Sequence, residues 1–113
     1  MAIAWRTTAG HDWCLASDPA LTDEQRAGDT LGFVPAPPSA DVTRFRLRPL
    51  SSAEYIEWAT ETAPDARTAA AWRGVVSIDG EAVAHDAVAG ALVMALVAIV
   101  LRLSEGSVGP FLG

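Results

Sequence analysis

The longest apolar stretch of the chain is AVAGALVMALVAIVL, an uncharged run of 15 residues that covers positions 87–101 and stops at Arg102. Asp86 precedes the run in the position of a helix N-cap, and Gly106 follows it as a stop signal. The pattern predicts a long apolar C-terminal helix over residues 86–104. Because the run is shorter than the roughly 20 residues that span a bilayer, we expect this helix to be buried in protein.

Residues 42–48, VTRFRLR, alternate in type along the chain, which is typical of a strand with one buried face. One face carries Thr43, Phe45 and Leu47, and the other carries Arg44, Arg46 and Arg48. A looser alternation predicts a short strand over residues 1–8, and residues 9–17 are predicted to be a loop.

Two capping boxes predict helix starts. Thr22 and Gln25 have the required spacing and follow Asp18-Pro19, which is typical of an N-cap and a first-turn proline, so a short helix is expected within residues 18–27. Ser51 and Glu54 form the second box and begin a longer helix.

Proline and glycine signals separate the remaining elements. Pro64 restarts the Ser51 helix as a second segment, which runs to Trp72 and stops at Gly74. Asp79-Gly80, between residues 75–78 and 81–83, predicts a hairpin with a type I′ turn.

Two segments are predicted to lack regular structure. Residues 31–41 contain three prolines and are expected to form an extended linker, and residues 104–113 are expected to form an extended arm. The chain as a whole is therefore predicted to be a single α+β domain with a few short strands and three to four helices.

The composition is acidic, with 14 Asp and Glu against 8 Arg, no Lys, and a net charge of −6. This charge disfavours general nucleic-acid binding, because Arg and Lys neutralise phosphates, and we expect no nucleic-acid partner. The Arg44, Arg46 and Arg48 stripe departs from this trend. It is interpreted either as a solvated outer face or as a surface that docks an acidic partner, a second copy or, least favoured, nucleic-acid phosphate.

Metal and nucleophile chemistry have weak support. His11, Asp12 and Cys14, with His85 and Asp86 much later, include the ligand types that zinc prefers, but they lack the paired spacing of a structural zinc site. No local motif supplies Cys14 with an orienting group or an oxyanion site. We therefore expect no metal, no cofactor and no catalytic cysteine.

The acidic row and the tryptophans are also interpreted as structural. Glu54, Glu57 and Glu61 share one face of the Ser51 helix, and this spacing is typical of a solvated face rather than of paired catalytic carboxylates. Four tryptophans are expected to be core or interface anchors, namely Trp5, Trp13, Trp58 and Trp72. The chain is therefore predicted not to be an enzyme.

Four segments together resemble a known group of proteins. They are Asp18-Pro19-Ala20-Leu21, the stretch RFRLRPLSSAEY at 44–55, Ala71-Trp72-Arg73-Gly74-Val75 and Asp79-Gly80-Glu81. The combination resembles small proteins from the structural gene clusters of tailed bacteriophages and prophages, which carry an F-x-L-R-P-L core, a G-W-x-G-V segment and a D-x-D-G turn. The resemblance spans roughly residues 18–83, and Ala71 stands where that group has a glycine.

The resemblance implies a minor virion or tail-assembly protein, located in the virion after assembly in the host cytoplasm. Such a protein would bind copies of itself and neighbouring phage structural proteins. The residues expected at those contacts are Arg44, Arg46, Arg48, Trp58, Trp72, Leu92, Leu96, Ile99 and Phe111. Two alternatives stay open: a tail-assembly chaperone that leaves before maturation, and a small membrane-active protein that inserts its C-terminal helix.

Overall fold

The computed structural model describes residues 10–106. Four antiparallel strands form one sheet in the order β2-β1-β3-β4, with β1 at His11–Leu15, β2 at Phe33–Pro35, β3 at Phe45–Leu47 and β4 at Val75–Ile78. The helices are α1 (Asp23–Arg26), α2 (Ser52–Thr60), α3 (Pro64–Trp72) and α4 (Gly90–Gly106), with a 3₁₀ turn at His85–Ala87. The fold is α+β, as predicted.

Strand β3 confirms the alternation that predicted it. Phe45 and Leu47 are buried, whereas Arg46 between them is exposed on the other face. The strand is shorter than expected, because the extended segment from 42 to 44 is not paired in the sheet.

The predicted loop over residues 9–17 is wrong, because β1 lies in the interior of the sheet between β2 and β3. Its alternation places Trp13 and Leu15 against the main core and Cys14 in a second cluster on the opposite face. Gly10 precedes the strand with φ +99°, and a Cβ there would lie 2.9 Å from the carbonyl oxygen of Leu47. Only glycine therefore allows this close entry into the sheet.

The predicted linker over residues 31–41 is also partly wrong, because it contains the edge strand β2. Phe33 and Val34 are buried and pair with β1. Pro35 ends the strand, and proline is tolerated there because an edge strand needs hydrogen bonds on one side only.

Both capping boxes are present. Thr22 caps α1 and Ser51 caps α2, each with reciprocal bonds to Gln25 or Glu54. Helix α1 is shorter than expected, because the carboxylate of Asp18 instead accepts a hydrogen bond from the Ala20 amide in a preceding turn. Pro64 begins α3 in the first turn, as predicted.

The turn at Asp79-Gly80 has positive φ at both residues, 49° and 84°, as a type I′ turn requires. The second arm of the predicted hairpin reduces to one bridge between Ile78 and Glu81. Strand β4 instead pairs with β3, which comes earlier in the chain.

Helix α4 begins later than predicted. Asp86 lies in the 3₁₀ turn rather than at the helix N-cap, and the helix starts at Gly90. Its last turn includes residues 104–106, which were expected to begin an extended arm. Within residues 10–106, none of the helices is long and apolar enough to cross a membrane.

The main core lies between α4 and what we call the inner face of the sheet. Its buried members are Phe33, Phe45, Leu47, Leu50, Trp72, Val75, Val93, Leu96, Ile99 and Val100. Gly74 stands where chain segments cross, since a Cβ on it would lie 2.2 Å from a Val100 methyl group. The glycine predicted as a helix stop is therefore also a packing requirement.

The opposite, outer face of the sheet has a smaller apolar cluster. Cys14, Val34 and Leu21 are buried there, and loop residues cover them, namely Ala16, Ala36, Ala40 and Val42. The predicted strand over 1–8, residue Phe111 and the arm beyond 106 lie outside the described residues.

Candidate functional site

A row of polar side chains crosses the outer face beside the small apolar cluster. Asp12 on β1 stands opposite Arg46 on β3, and Arg46 stands opposite Ser77 on β4. The Arg46 guanidinium lies 3.2 Å from the Asp12 carboxylate and retains 44% of its side-chain exposure. We call Asp12, Arg46 and Ser77 the polar row. It presents a partly neutralised cation to solvent.

Arg44 lies beside the polar row but holds the protein's own backbone. One guanidinium nitrogen donates to the carbonyl oxygens of Pro37, Pro38 and Ala40 at 2.6, 3.1 and 3.1 Å. The Arg44 amide also donates to the Asp79 carboxylate at 2.8 Å. This arginine therefore fixes the proline-rich segment against the sheet, and its other terminal nitrogen lies 3.9 Å from the Asp12 carboxylate.

Asp12 and Arg46 of the polar row line an open groove of about 750 Å³. The walls come from β1 and from the proline segment, with His11, Trp13, Pro35, Ala36 and Pro38 among the lining residues. A smaller depression continues past Arg46 to the turn at Asp79-Gly80. Because this groove is open and of mixed polarity, it suits an extended peptide segment rather than an enclosed small molecule.

Arg48, the third member of the predicted stripe, is committed to an internal ion pair. Its two terminal nitrogens each donate to one carboxylate oxygen of Glu54 at 2.8 Å, and the two side chains are about one-fifth exposed. The Arg48 guanidinium, together with the Ser51 amide and hydroxyl, lowers the pKa of Glu54 to about 2. This pair attaches the end of β3 to the start of α2.

Helix α4 separates the predicted contact residues by face. Leu96 and Ile99 have no exposed surface and belong to the chain's own core, whereas Leu92 is half-buried. The exposed positions recur at helical spacing, and we call them the outer face of α4: Gly90, Ala91, Met94, Ala98, Arg102 and Glu105. Met94 is the most exposed large apolar side chain here, at 67%.

The two tryptophans expected at contacts have different environments. Trp72 is buried, and its indole nitrogen donates to the carbonyl oxygen of Val83 at 2.7 Å. Trp58 is half-buried and lies under the Arg67 guanidinium, 4.4 Å from the ring centroid. Trp72 is thus an internal anchor, and Trp58 leaves part of its surface to solvent. Whether either binds a partner stays a prediction.

The acidic row on α2 is less solvated than its spacing indicates. Glu54 pairs with Arg48, and Glu57 pairs with Arg73 on the segment after α3. Glu61 accepts hydrogen bonds from the amides of Thr62 and Ala63 and so ends α2. Each carboxylate therefore has a structural contact.

The candidate metal ligands do not converge. Among residues 10–106, no three His, Cys, Asp or Glu side chains are placed to hold a metal ion together. Cys14 is fully buried, and burial, with a smaller contribution from Asp18, raises the pKa of its thiol. Cys14 therefore stays protonated and fills space in the small apolar cluster.

No protein-family model, no curated protein and no solved structure matches this chain. The resemblance to phage proteins therefore depends on the four sequence segments alone.

Sequence reasoning missed Asp12 and Met94 as surface features. Asp12 falls in the segment predicted as a loop, and the alternation of Trp13 and Leu15 after it is too short to predict a strand. Met94 was hidden within an apolar run that gives no indication of which side faces solvent.

Proposed function

We propose that the chain is a non-enzymatic structural or assembly protein of a tailed bacteriophage particle. It acts through self-association and through contacts with neighbouring virion proteins of the head, neck or tail. The observation that carries this proposal is the uncharged exposed side of α4, where Met94 is 67% exposed between the exposed Gly90 and Ala98. A solvent-facing helix side normally carries charged residues, so this surface suits contact with a neighbour. Leu31, Ile56 and Val76 add exposed apolar side chains on other segments.

The exposed Leu31 also has an unfavourable backbone conformation. Its φ is +53°, in the left-handed region, which costs a non-glycine residue about 1 kcal/mol. Leu31 is also 54% exposed, so burial within this chain does not offset that cost. The same turn position at Asp79 carries a residue suited to it. An apolar side chain held outward at a cost is well suited to contact a neighbour.

The groove over the polar row supports the same proposal from the polar side. Extended arms of neighbouring subunits are common partners in assembled particles, because they add contact area while they order on docking. The open groove beside Arg46 offers such an arm both apolar walls and one accessible cation.

A test is to delete the gene from an inducible prophage that encodes it and to restore it in trans. Mass spectrometry of purified particles then shows whether the protein is present, and electron microscopy shows whether tails form. Presence in the particle together with failed assembly on deletion supports the proposal. Failed tails without the protein in the particle indicate the chaperone alternative, and normal infectious particles after deletion overturn the proposal.

The same system tests the exposed apolar residues. The variant Leu31→Asn with Ile56→Gln keeps residues that suit the turn and the helix surface, so the purified chain should fold normally while complementation falls at least tenfold. Glu81→Gln is the control, because Glu81 is an exposed residue beside the other type I′ turn and does not line the groove. Full complementation by the double variant would contradict the assigned contacts.

A further inference from the structure

The segment between β2 and β3 crosses the outer face of the sheet without regular structure. We call residues 37–43 of this segment the strap. Its first two residues, Pro37 and Pro38, have no backbone N–H and therefore cannot donate a hydrogen bond to the sheet. Ala40 and Val42 of the strap pack against the small apolar cluster, so the strap is part of the cover over that cluster.

The middle of the strap is attached to the rest of the molecule through one side chain. Within residues 10–106, every hydrogen bond that leaves the strap ends on Nη2 of Arg44, which donates to the carbonyl oxygens of Pro37, Pro38 and Ala40. The other hydrogen bond of the strap, from the Ala40 amide to the Pro37 carbonyl oxygen at 3.2 Å, is internal. The attachment therefore depends on a single guanidinium group.

Both ends of the strap are fixed by other groups. The amide of Ala36, just before the strap, donates to the Asp12 carbonyl oxygen at 2.9 Å. Just after the strap, the Asp79 amide donates to the Arg44 carbonyl oxygen at 2.8 Å. These bonds involve the sheet and its turn, so they do not have to break when residues 37–43 move away from the outer face.

Little apolar area holds the strap in place. The buried members of the small apolar cluster are Cys14, Leu21 and Val34, and most of the side chains packed against them are alanines. The main core contains aromatic and branched aliphatic side chains from the sheet and α4. Because apolar stabilisation scales with the area buried, displacement of the strap removes far less of it than separation of α4 from the sheet does.

We propose that the strap opens as a separate unit, with the Arg44 guanidinium holding it closed, while the sheet and α4 remain folded. Segments with little buried apolar contact and few hydrogen bonds are the ones that open below global unfolding. Opening uncovers Cys14 and removes Pro38 from the wall of the groove. The groove is therefore complete only in the closed state, and a ligand that occupies it favours that state. This inference does not depend on the proposed function.

Cys14 reports the opening, because it is the single cysteine of the sequence and has no exposed surface when the strap is closed. The native full chain is treated with iodoacetamide at about pH 8, where an uncovered thiol reacts, and mass spectrometry follows the labelling. The strap exposes little surface on opening, so the labelling rate should rise less than about twofold between zero and about 1 M urea. A rise of at least about fivefold, as global unfolding requires, would overturn the proposal.

Two arginine variants test what holds the strap closed. Arg44→Ser removes the three hydrogen bonds to the strap and should raise the labelling rate of Cys14 without urea at least about tenfold. Arg46→Ser is the matched control, because Arg46 lies on the same strand but bonds Asp12 rather than the strap, and the rate should change by no more than about twofold. Equal rates in the two variants would contradict the role of Arg44. The urea series on the wild-type chain tests the opening without any variant.

The small apolar cluster is also covered from the segment before α1, which contains Leu21. There the Arg26 guanidinium donates to the carbonyl oxygens of Ala16 and Asp18 at 3.1 and 3.0 Å. Arg26→Ser loosens this side and leaves the bonds to the strap intact. A smaller rise in the labelling rate for Arg26→Ser than for Arg44→Ser supports opening of the strap. A rise that is at least as large would place the opening on the Leu21 side and overturn the proposal.

Discussion

The two faces of the sheet are closed by different means. On the inner face, α4 packs branched aliphatic side chains into the core that contains Phe45 and Leu47, and its buried Ser104 hydroxyl accepts a hydrogen bond from the Leu50 amide at 2.8 Å. On the outer face, Leu21 and loops that Arg44 holds by hydrogen bonds cover only part of the surface. The rest is the open groove over the polar row.

The inner face of the sheet mainly contributes stability, whereas the outer face of the sheet leaves surface for interaction. Apolar burial between a helix and a sheet stabilises the fold whatever the surroundings, and truncating a side chain there strongly lowers the free energy of unfolding. Hydrogen bonds to a loop contribute less, and an exposed ion pair contributes least. The expected effects decrease in that order. They test whether the inner face of the sheet stabilises the fold and whether the outer face of the sheet remains available to partners.

The largest effect is expected at Leu96, which has no exposed surface. Leu96→Ala should lower the free energy of unfolding by about 2–5 kcal/mol, through lost burial and the cavity left behind. Urea denaturation measures the change. Met94→Ala, on the other side of the same helix, should change it by no more than about 0.5 kcal/mol. Equal decreases in unfolding free energy at the two positions would show that α4 does not pack against the core with the Leu96 side.

The substitution Gly74→Ala should cause the next largest decrease in the free energy of unfolding. It forces a methyl group within 2.2 Å of Val100 and 2.8 Å of the Arg48 carbonyl oxygen, which should cost about 1–3 kcal/mol. The double variant with Val100→Ala should lose less stability than the sum of the two single losses, whereas Gly80→Asn, at an open turn position, provides a control. Additive losses from Gly74→Ala and Val100→Ala would contradict a clash between them.

Nearby residues in the sequence predicted where the helices begin, whereas the strands depend on pairing partners that are distant in the sequence. The capping residues Thr22 and Ser51 lie within three positions of the groups they bind, so the sequence window contains the whole interaction. Strand β1 depends on Phe45 and Arg46 more than thirty residues away. A window around Asp12 does not contain that information, and polar residues made the segment resemble a loop.

The Arg48–Glu54 pair at the end of β3 links the sheet to α2 and should be sensitive to acid. The pKa of Glu54 is lowered to about 2, so the unfolded chain takes up a proton at a higher pH than the folded chain does. The stability contributed by this pair is therefore present above about pH 4.5 and is lost as the pH falls toward 2.

Glu54→Gln should cost on the order of 2 kcal/mol at pH 7, since it removes the charge from a largely buried hydrogen-bonded pair. The variant should also lose less stability than the wild type between pH 4.5 and pH 2.5, measured by urea midpoints at both pH values. Glu81→Gln, at an exposed turn residue, should follow the wild type. An unchanged acid dependence in Glu54→Gln would show that other carboxylates control it.

The candidate site could be predicted only in part, because the groups that bind its arginines are also distant in the sequence. Alternation correctly placed Arg44 and Arg46 opposite Phe45, but it gave them one common role. The structure separates the roles because of groups outside the strand: proline-segment carbonyls for Arg44, a capping glutamate for Arg48, and Asp12 for Arg46. Only the folded arrangement of loops around the strand determines which arginine remains accessible.

The smallest effects distinguish Arg44 from Arg46 on the outer face. Arg44→Ser removes three hydrogen bonds to the proline segment and should cost about 1–2 kcal/mol, with faster amide exchange where the segment covers Cys14. Arg46→Ser removes one exposed ion pair with Asp12 and should cost less than about 0.5 kcal/mol. If a neighbouring arm binds in the groove, Arg46→Ser should nevertheless weaken that binding, and the loss should decrease as salt increases. Equal destabilisation by the two substitutions would mean that the groove is part of the folded framework, and Arg46 would then no longer be the residue available to a partner.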